Sequence, residues 1–266
     1  MAVQYVIDAF ENGPFTGNPA AVMPLEAWPE DSVLLAIAAQ NNLSETAYLI
    51  DRGDEIDLRW FTPTQEIDLC GHATLASAHA IYAELGDERD ELRFQTQGGE
   101  LIVSREGSAY RMDFPAAPAL EEPASAEISR AALEAIGQDL GEVKITGEYL
   151  FVVLEDPAAV RSLDPDMAAI RGLPGGHVYV SAPGDEGYDF VDRVFAPGVG
   201  IPEDPATGSA HCAFAPYWSA RLGKTELTAL QASARGGYFT CHWREADGRV
   251  DLVGTCRTFL RGEVEL

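Results

Sequence analysis

The chain has 266 residues, 46% of them hydrophobic, enough for a sizeable core in two domains or one large one. Its 18 Lys and Arg face 43 Asp and Glu, a net charge of −25 spread along the sequence, which repels nucleic acid and anionic lipid. No apolar run reaches the length of a membrane span, the first residues lack a signal-peptide pattern, and Cys70, Cys212, Cys241 and Cys256 form no CxxC pair, so a cytoplasmic chain with reduced thiols, no metal and no membrane partner is expected.

In chain order, Val3–Phe10 and Ala20–Met23 read as strands separated by turns at Gly13-Pro14 and Gly17-Asn18-Pro19. Asp31–Gln40 predicts a helix with an Asp or Ser cap and Val33, Leu34, Ile37 and Ala38 on one face. Thr46–Ile50 and Asp57–Phe61 are strand-like, and Thr74–Leu85 is an Ala-rich helix stopped by Gly86. Leu92–Thr96, Glu100–Arg105 and Tyr110–Phe114 predict consecutive antiparallel strands. A Pro-rich acidic connector, from Pro115 to Pro123 and including Leu120, Glu121 and Glu122, follows as the best domain boundary. Beyond it come an amphipathic helix at Ile128–Ile136 and a strand at Tyr149–Leu154. A short helix at Asp166–Arg171, capped by Asp164-Pro165, precedes a strand at Val178–Ser181. A second small-residue helix at Ser209–Leu222 and strands at Tyr238–Trp243 and Arg249–Gly254 complete the reading.

The chain also repeats itself once. Phe61-Thr62-Pro63, Gly71-His72-Ala73-Thr74, Gly98-Gly99 and Arg111-Met112-Asp113-Phe114 are matched in order by Phe195-Ala196-Pro197, Ala206-Thr207-Gly208-Ser209-Ala210, Gly236-Gly237 and Arg249-Val250-Asp251-Leu252. The ordered series predicts two pseudo-equivalent halves, 1–117 and 118–266, facing each other across a ligand cleft.

Three segments could carry chemistry. Glu45 stands just before an apolar strand, either as the capping-box partner of Asn42 or as a partly desolvated acid able to move a proton. Leu69-Cys70-Gly71-His72-Ala73-Thr74 opens a helix whose free N–H groups, around Gly71 and Ala73, can hold a carboxylate. There His72 is a proton shuttle or a backbone-satisfied histidine, and Cys70 a buried small residue or a thiolate base. Glu203-Asp204-Pro205-Ala206-Thr207-Gly208-Ser209-Ala210 opens the second helix. Asp204 is either its cap or a partner of Glu45 or His72, with Thr207, Gly208 and Ser209 as donors to a carboxylate.

Taken together, these segments resemble the PhzF family of phenazine-biosynthesis-like proteins, within the diaminopimelate epimerase-like superfamily. The resemblance rests on Asp8-Ala9-Phe10, Pro14-Phe15-Thr16-Gly17-Asn18-Pro19, Asn42-Leu43-Ser44-Glu45-Thr46-Ala47, Arg59-Trp60-Phe61-Thr62-Pro63, Asp68-Leu69-Cys70-Gly71-His72-Ala73-Thr74, Glu203 through His211, and Arg235-Gly236-Gly237. It implies an α+β fold of two pseudo-repeated domains, each a curved, mostly antiparallel sheet wrapped around a central helix. It further implies a cofactor-free active site between them and frequent homodimers. In the family's best understood member the reaction is an isomerisation by proton transfer on dihydro-3-hydroxyanthranilate. By resemblance Glu45 moves the proton, His72 and Asp204 assist, and Gly71 and Ser209 help hold the substrate. Amino-acid epimerases of this fold use two cysteines; here Cys70 matches the first, but Pro205 falls near the second, which disfavours a two-thiol racemisation.

The leading expectation is therefore a cofactor-independent isomerase acting on a small carboxylate-bearing substrate. The competing readings are a non-catalytic ligand- or partner-binding protein on the same fold and, more weakly, a Cys70-dependent epimerase.

Overall fold

The computed structural model describes residues 1–119, 123–147 and 149–265. Contacts divide the chain into two units, Met1–Phe114 with Leu252–Leu266, and Pro115–Asp251. The first crossing falls at the start of the Pro-rich connector, whose Leu120, Glu121 and Glu122 lie outside the described residues. The C-terminal boundary differs from the 118–266 of the sequence reading. The final strand pairs antiparallel with the first, from Ala2↔Val264 to Ala9↔Cys256, and so belongs to the first unit.

The first unit contains β1 (Ala2–Ala9), β2 (Asn18–Pro24), α1 (Asp31–Asn41), β3 (Glu45–Asp51), β4 (Ile56–Phe61), β5 (Glu66–Ile67), α2 (Gly71–His79), β6 (Glu91–Thr96), β7 (Gly99–Glu106) and β8 (Ala109–Pro115). A π-helical turn, Ala80–Glu84, extends α2, so the predicted Ala-rich helix begins earlier and ends in a wider turn than expected. β1–β2 and β3–β4 are antiparallel, whereas β2–β3 and β4–β6 are parallel. A parallel pair needs a crossover connection, and α1 and α2 are those crossovers. Leu34 and Ala38 of α1 pack on Met23, Tyr48 and Phe61, and the Tyr48 hydroxyl donates to the Leu34 carbonyl at 2.7 Å. α2 packs against β1, β2 and β3. Every residue from His72 to Ala78 is buried, which only a helix of small side chains permits at such close approach.

The second unit contains α3 (Ala126–Ala135), β9 (Glu142–Thr146), β10 (Tyr149–Val153), α4 (Pro157–Arg161), α5 (Met167–Arg171), β11 (Val178–Pro183), β12 (Phe190–Ala196), β13 (Ile201–Asp204), α6 (Gly208–Leu222), β14 (Glu226–Gln231) and β15 (Gly237–Arg244). The chain leaves it within β16 (Arg249–Gly254) and ends in β17 (Cys256–Val264). The pairing senses repeat those of the first unit: β9–β10 and β11–β12 antiparallel, β10–β11 and β12–β14 parallel. Ala132, Ile136, Val160 and Ile170 from the helical segments pack on Leu150, Val152, Val178 and Val180. α6 fills the other face with aromatic rings. Phe214 meets Phe151, Tyr179 and Phe190, and Trp218 stacks on Phe190. Ser125 caps α3, which starts two residues before the expected Ile128, and α5 is capped by Asp166 rather than by Asp164-Pro165.

One device recurs in both units. Arg59 on β4 makes a bidentate pair with Glu66 on β5, at 2.7 and 2.7 Å, and its guanidinium lies 5.1 Å from the Phe61 ring. Arg193 on β12 pairs likewise with Glu203 on β13, at 2.6 and 3.0 Å, and lies 4.9 Å from Phe195. Each pair fixes the short strand that leads into the next helix start. Arg193 also donates to the Leu163 carbonyl at 2.7 Å. Lysine keeps the charge but loses the planar fork, so Arg193→Lys is expected to destabilise the protein by about 2–3 kcal/mol in denaturant titration. An unchanged midpoint would show that the pair holds nothing in place.

Candidate active site

In the first unit the topology places a carboxylate at a helix start. α1 ends at Asn42, which takes the left-handed conformation at φ 52°, and the chain turns directly into β3 with Glu45 as its first residue. Asn42 therefore closes a helix, and the capping-box alternative for Glu45 is not formed. Because β3 runs antiparallel to β4, with Thr46 opposite Phe61, the start of β3 lies beside the end of β4, where the chain heads for α2. Glu45 is buried, as are Cys70 and His72. Cys70 occupies the cap position of α2, and its side chain makes no cap hydrogen bond to the first turn, where helix N–H groups lack partners within the helix.

His72 stands between its two neighbours. Its Nδ1 lies 3.6 Å from Cys70 Sγ, and its Nε2 lies 3.1 Å from Glu45 Oε2. The second contact is an ion pair without hydrogen-bond alignment, and neither atom has another hydrogen-bond partner among the described residues. Burial, the largest influence, pulls the imidazole down, but the adjoining Cys70 sulfur and the Glu45 carboxylate outweigh it and hold His72 well above the ordinary histidine range. Burial pushes the Cys70 thiol up, and the nearby Glu45 charge adds to it. Burial and the Glu45 charge thus act against a thiolate at Cys70, while the His72 contact acts for one. Glu45, Cys70 and His72 bring one oxygen, one sulfur and one nitrogen within 4.8 Å of one another, a donor set for a soft divalent cation. The other histidine of this helix, His79, turns away to the Tyr110 hydroxyl and the Thr258 hydroxyl, each at 3.0 Å.

In the second unit Asp204 ends β13 and Thr207 takes the cap position of α6, with Pro205 outside the helix. Asp204 is therefore not the helix cap. Its Oδ2 instead accepts from Thr207 Oγ1 at 2.5 Å. Gly208 is buried in the first turn and Ser209 is exposed at its outer edge, hydrogen-bonded to the buried Tyr179, whose hydroxyl burial holds well above its ordinary pKa. Asp204, Thr207, Gly208 and Ser209 are thus gathered at one helix start, as Glu45, Gly71, His72 and Ala73 are at the other. Two glycines of the repeated Gly-Gly pairs press on these loops. A Cβ at Gly98 would lie 2.6 Å from the Asp68 carbonyl oxygen, and one at Gly237 would lie 2.6 Å from Ala206 Cβ. The Gly-Gly repeat in the sequence thus marks the points where each hairpin touches the loop before its helix.

Sequence reasoning missed Tyr179, whose partner Ser209 is distant in the chain, and the wholly buried Asp192–His211 pair, 3.3 Å apart. His211 Nδ1 lies 2.9 Å from the Thr207 carbonyl, which braces the same helix start. Nothing local marks these residues, because each pairing depends on strand register. Register also shows how the halves differ. Val178 pairs with Phe195 as Thr46 pairs with Phe61, so the position of Glu45 is taken in the second unit by His177.

The PhzC-PhzF family model, described as phenazine biosynthesis-like protein, matches residues 7–262. An uncharacterized isomerase of Pseudomonas aeruginosa is 47% identical over 262 residues, covering 98% of each chain. The crystal structure of a phenazine biosynthesis protein of the PhzF family from Enterococcus faecalis superposes with a TM-score of 0.93 at 42% identity, covering 100% of this chain and 99% of that one. A probable proline racemase from Agrobacterium radiobacter shares the fold alone, with a TM-score of 0.61 at 11% identity over 100% of this chain and 93% of that one. The chain belongs to the phenazine biosynthesis-like family, with the epimerase-like fold that the motifs imply. That membership places it among isomerases. No helix among the described residues is long and apolar enough to cross a membrane.

The raised folded pKa of His72 has a defined sign in stability. Its contribution is fully present below the unfolded value of about 6.5 and is lost as pH rises through the folded value. Denaturant titration of the wild type against His72→Gln should show the stability gap narrowing as pH rises above about 6.5. A gap that widens with pH would contradict the ion-pair assignment.

Proposed function

We propose that the protein is a cofactor-independent isomerase that moves a proton on a small carboxylate-bearing metabolite, with Glu45 as the general acid and base. The observation that carries this reading is the buried Glu45–His72 contact at the uncapped start of α2, with oxygen and nitrogen 3.1 Å apart. A carboxylate held there is screened from water and oriented by a protonated imidazole, the setting in which a side chain exchanges protons with a bound carbon acid. In this reading Glu45 accepts a proton from a substrate carbon. The electron pair left behind moves into the conjugated system beside the substrate carboxylate. A proton then returns to a different carbon, so one C–H bond breaks, one forms, and nothing is oxidised or reduced.

The negative charge that develops on the carboxylate substrate is met by first-turn N–H groups around Gly71 and Ala73, and Thr207, Gly208 and Ser209 are the donors that the second helix start offers. Asp204 assists as the second carboxylate. The same reading carries a homodimeric state. The family's isomerase membership and the sequence, which has Pro205 near the position matching a second epimerase cysteine, both favour a carboxylate over a two-thiol mechanism.

The test is a protein-free metabolite extract incubated with enzyme in heavy water and read by mass spectrometry. Wild type is expected to place deuterium on carbon of a carboxylate metabolite. Glu45→Gln should still bind that metabolite while labelling falls by at least about a hundredfold, the scale of a lost general acid–base. Normal labelling by Glu45→Gln would remove Glu45 from the chemistry, and binding without labelling by wild type would make the protein a binder.

A further inference from the structure

We propose that Gln231 is the positioning residue of the second half-site, setting the direction in which the Thr207 hydroxyl points and thereby the place of the Asp204 carboxylate. Gln231 is the last residue of β14 and is wholly buried. The parallel pairing of β12 with β14 sets it opposite Asp192 and turns it toward the loop before α6. Its Oε1 accepts the Thr207 N–H at 2.7 Å. Its Nε2 donates to the Asp204 carbonyl at 2.7 Å and to Thr207 Oγ1 at 3.0 Å.

These three bonds fix the amide unambiguously, because a backbone N–H can only donate and a carbonyl can only accept. They also fix the hydroxyl. With an amide N–H directed at Thr207 Oγ1, the hydroxyl hydrogen is left for Asp204 Oδ2, which it meets at 2.5 Å. The result is a directed chain, from amide to hydroxyl to carboxylate, in which each bond polarises the next. The rest of the loop is held from the same hairpin. Ser233 Oγ donates to the Pro205 carbonyl at 2.8 Å, and Gly237 leaves just enough room for Ala206. Four consecutive loop residues, Asp204 to Thr207, are thus gripped by the segment from Gln231 to Gly237. Among the described residues the first unit shows no matching side-chain grip. By register Thr96 takes the place of Gln231, and its hydroxyl is committed to the Gly99 carbonyl at 2.6 Å.

A glutamine used for its donor pair can be interrogated with an isosteric acid. In Gln231→Glu the protonated carboxyl can still accept from Thr207 N–H and donate once toward Asp204. The ionised form donates nothing and faces the Asp204 carbonyl with a negative charge. Charged groups around this point among the described residues include Asp204 on the loop, Asp192 on β12, His211 on α6 and, in the same segment as Gln231, Arg235.

The experiment measures amide hydrogen exchange of the full chain by mass spectrometry over Asp204–Cys212, corrected for intrinsic rates, at about pH 5 and about pH 8. Wild type should be protected at both. Gln231→Leu should exchange about ten- to a hundredfold faster at both, the scale of losing buried hydrogen bonds. Gln231→Glu should match wild type at the lower pH and Gln231→Leu at the higher, a pattern that a filler role would not produce. Equal protection in all three proteins, or no pH dependence in Gln231→Glu, overturns the proposal. Its catalytic part rests on the proton-transfer reading above. Deuterium labelling of the same metabolite extract by Gln231→Glu should slow at least about tenfold between the two pH values relative to wild type, in kcat rather than KM. Unchanged labelling alongside a loosened loop would deny Gln231 a positioning role, whereas no labelling by wild type would sink only the proton-transfer reading, since the loop measurement stands without it.

Discussion

A carboxylate and an imidazole in contact, both out of water, are the constraint around which the first unit is arranged. Burying either charge alone costs several kcal/mol, so the pair persists only where each neutralises the other in a fixed geometry. That geometry comes from strand order. β3 begins where β4 ends, β4 hands the chain to α2, and Glu45 and His72 meet because those two chain ends are adjacent. The small side chains of α2 serve the same end, since a bulkier helix would push β2 and β3 away and open the pair to solvent.

The two units solve the same architectural problem with different material. Both use a bidentate arginine over a phenylalanine to hold the strand before the helix, and both let a glycine touch the loop. Around their central helices they diverge. α2 is packed with alanine and keeps a bare start beside an acid. α6 is packed with aromatic rings and keeps its start under hydrogen bonds from Gln231 and His211. Where the first unit puts Glu45, the second puts His177, a group that burial keeps below its ordinary pKa although the Gly175 carbonyl works the other way. The duplication is therefore one of scaffold, while the candidate carboxylates stand at different points of it, Glu45 at the start of β3 and Asp204 at the end of β13.

Much of this was legible in the residues. The repeat of Phe-x-Pro, the small-residue helix start and Gly-Gly announced two like units, and the pairing senses follow it strand for strand. Glu45, His72, Asp204 and Thr207 stood out as polar residues at breaks between apolar segments, and the structure gathers them at two helix starts. What stayed hidden depends on partners far apart in sequence. β17 carries too mixed a pattern to declare that it pairs with β1, and β12 and β14 were not marked as strands. Gln231 looks like any polar residue at a strand end until the parallel register turns it toward Thr207. The cap readings failed for a local reason: Asn42 and Asp204 are cap-like residue types, but one closes a helix and the other ends a strand.

The most direct test of the central claim is the protonation of His72 itself, read from its ring nitrogen shifts by NMR in wild type and in Glu45→Gln across pH. The buried ion pair predicts an imidazolium in wild type that persists well above the ordinary value of about 6.5, and a ring that loses its proton at lower pH in the variant, where burial and the Cys70 contact remain and the carboxylate charge is gone. A His72 that titrates at the same pH in both proteins would contradict the account.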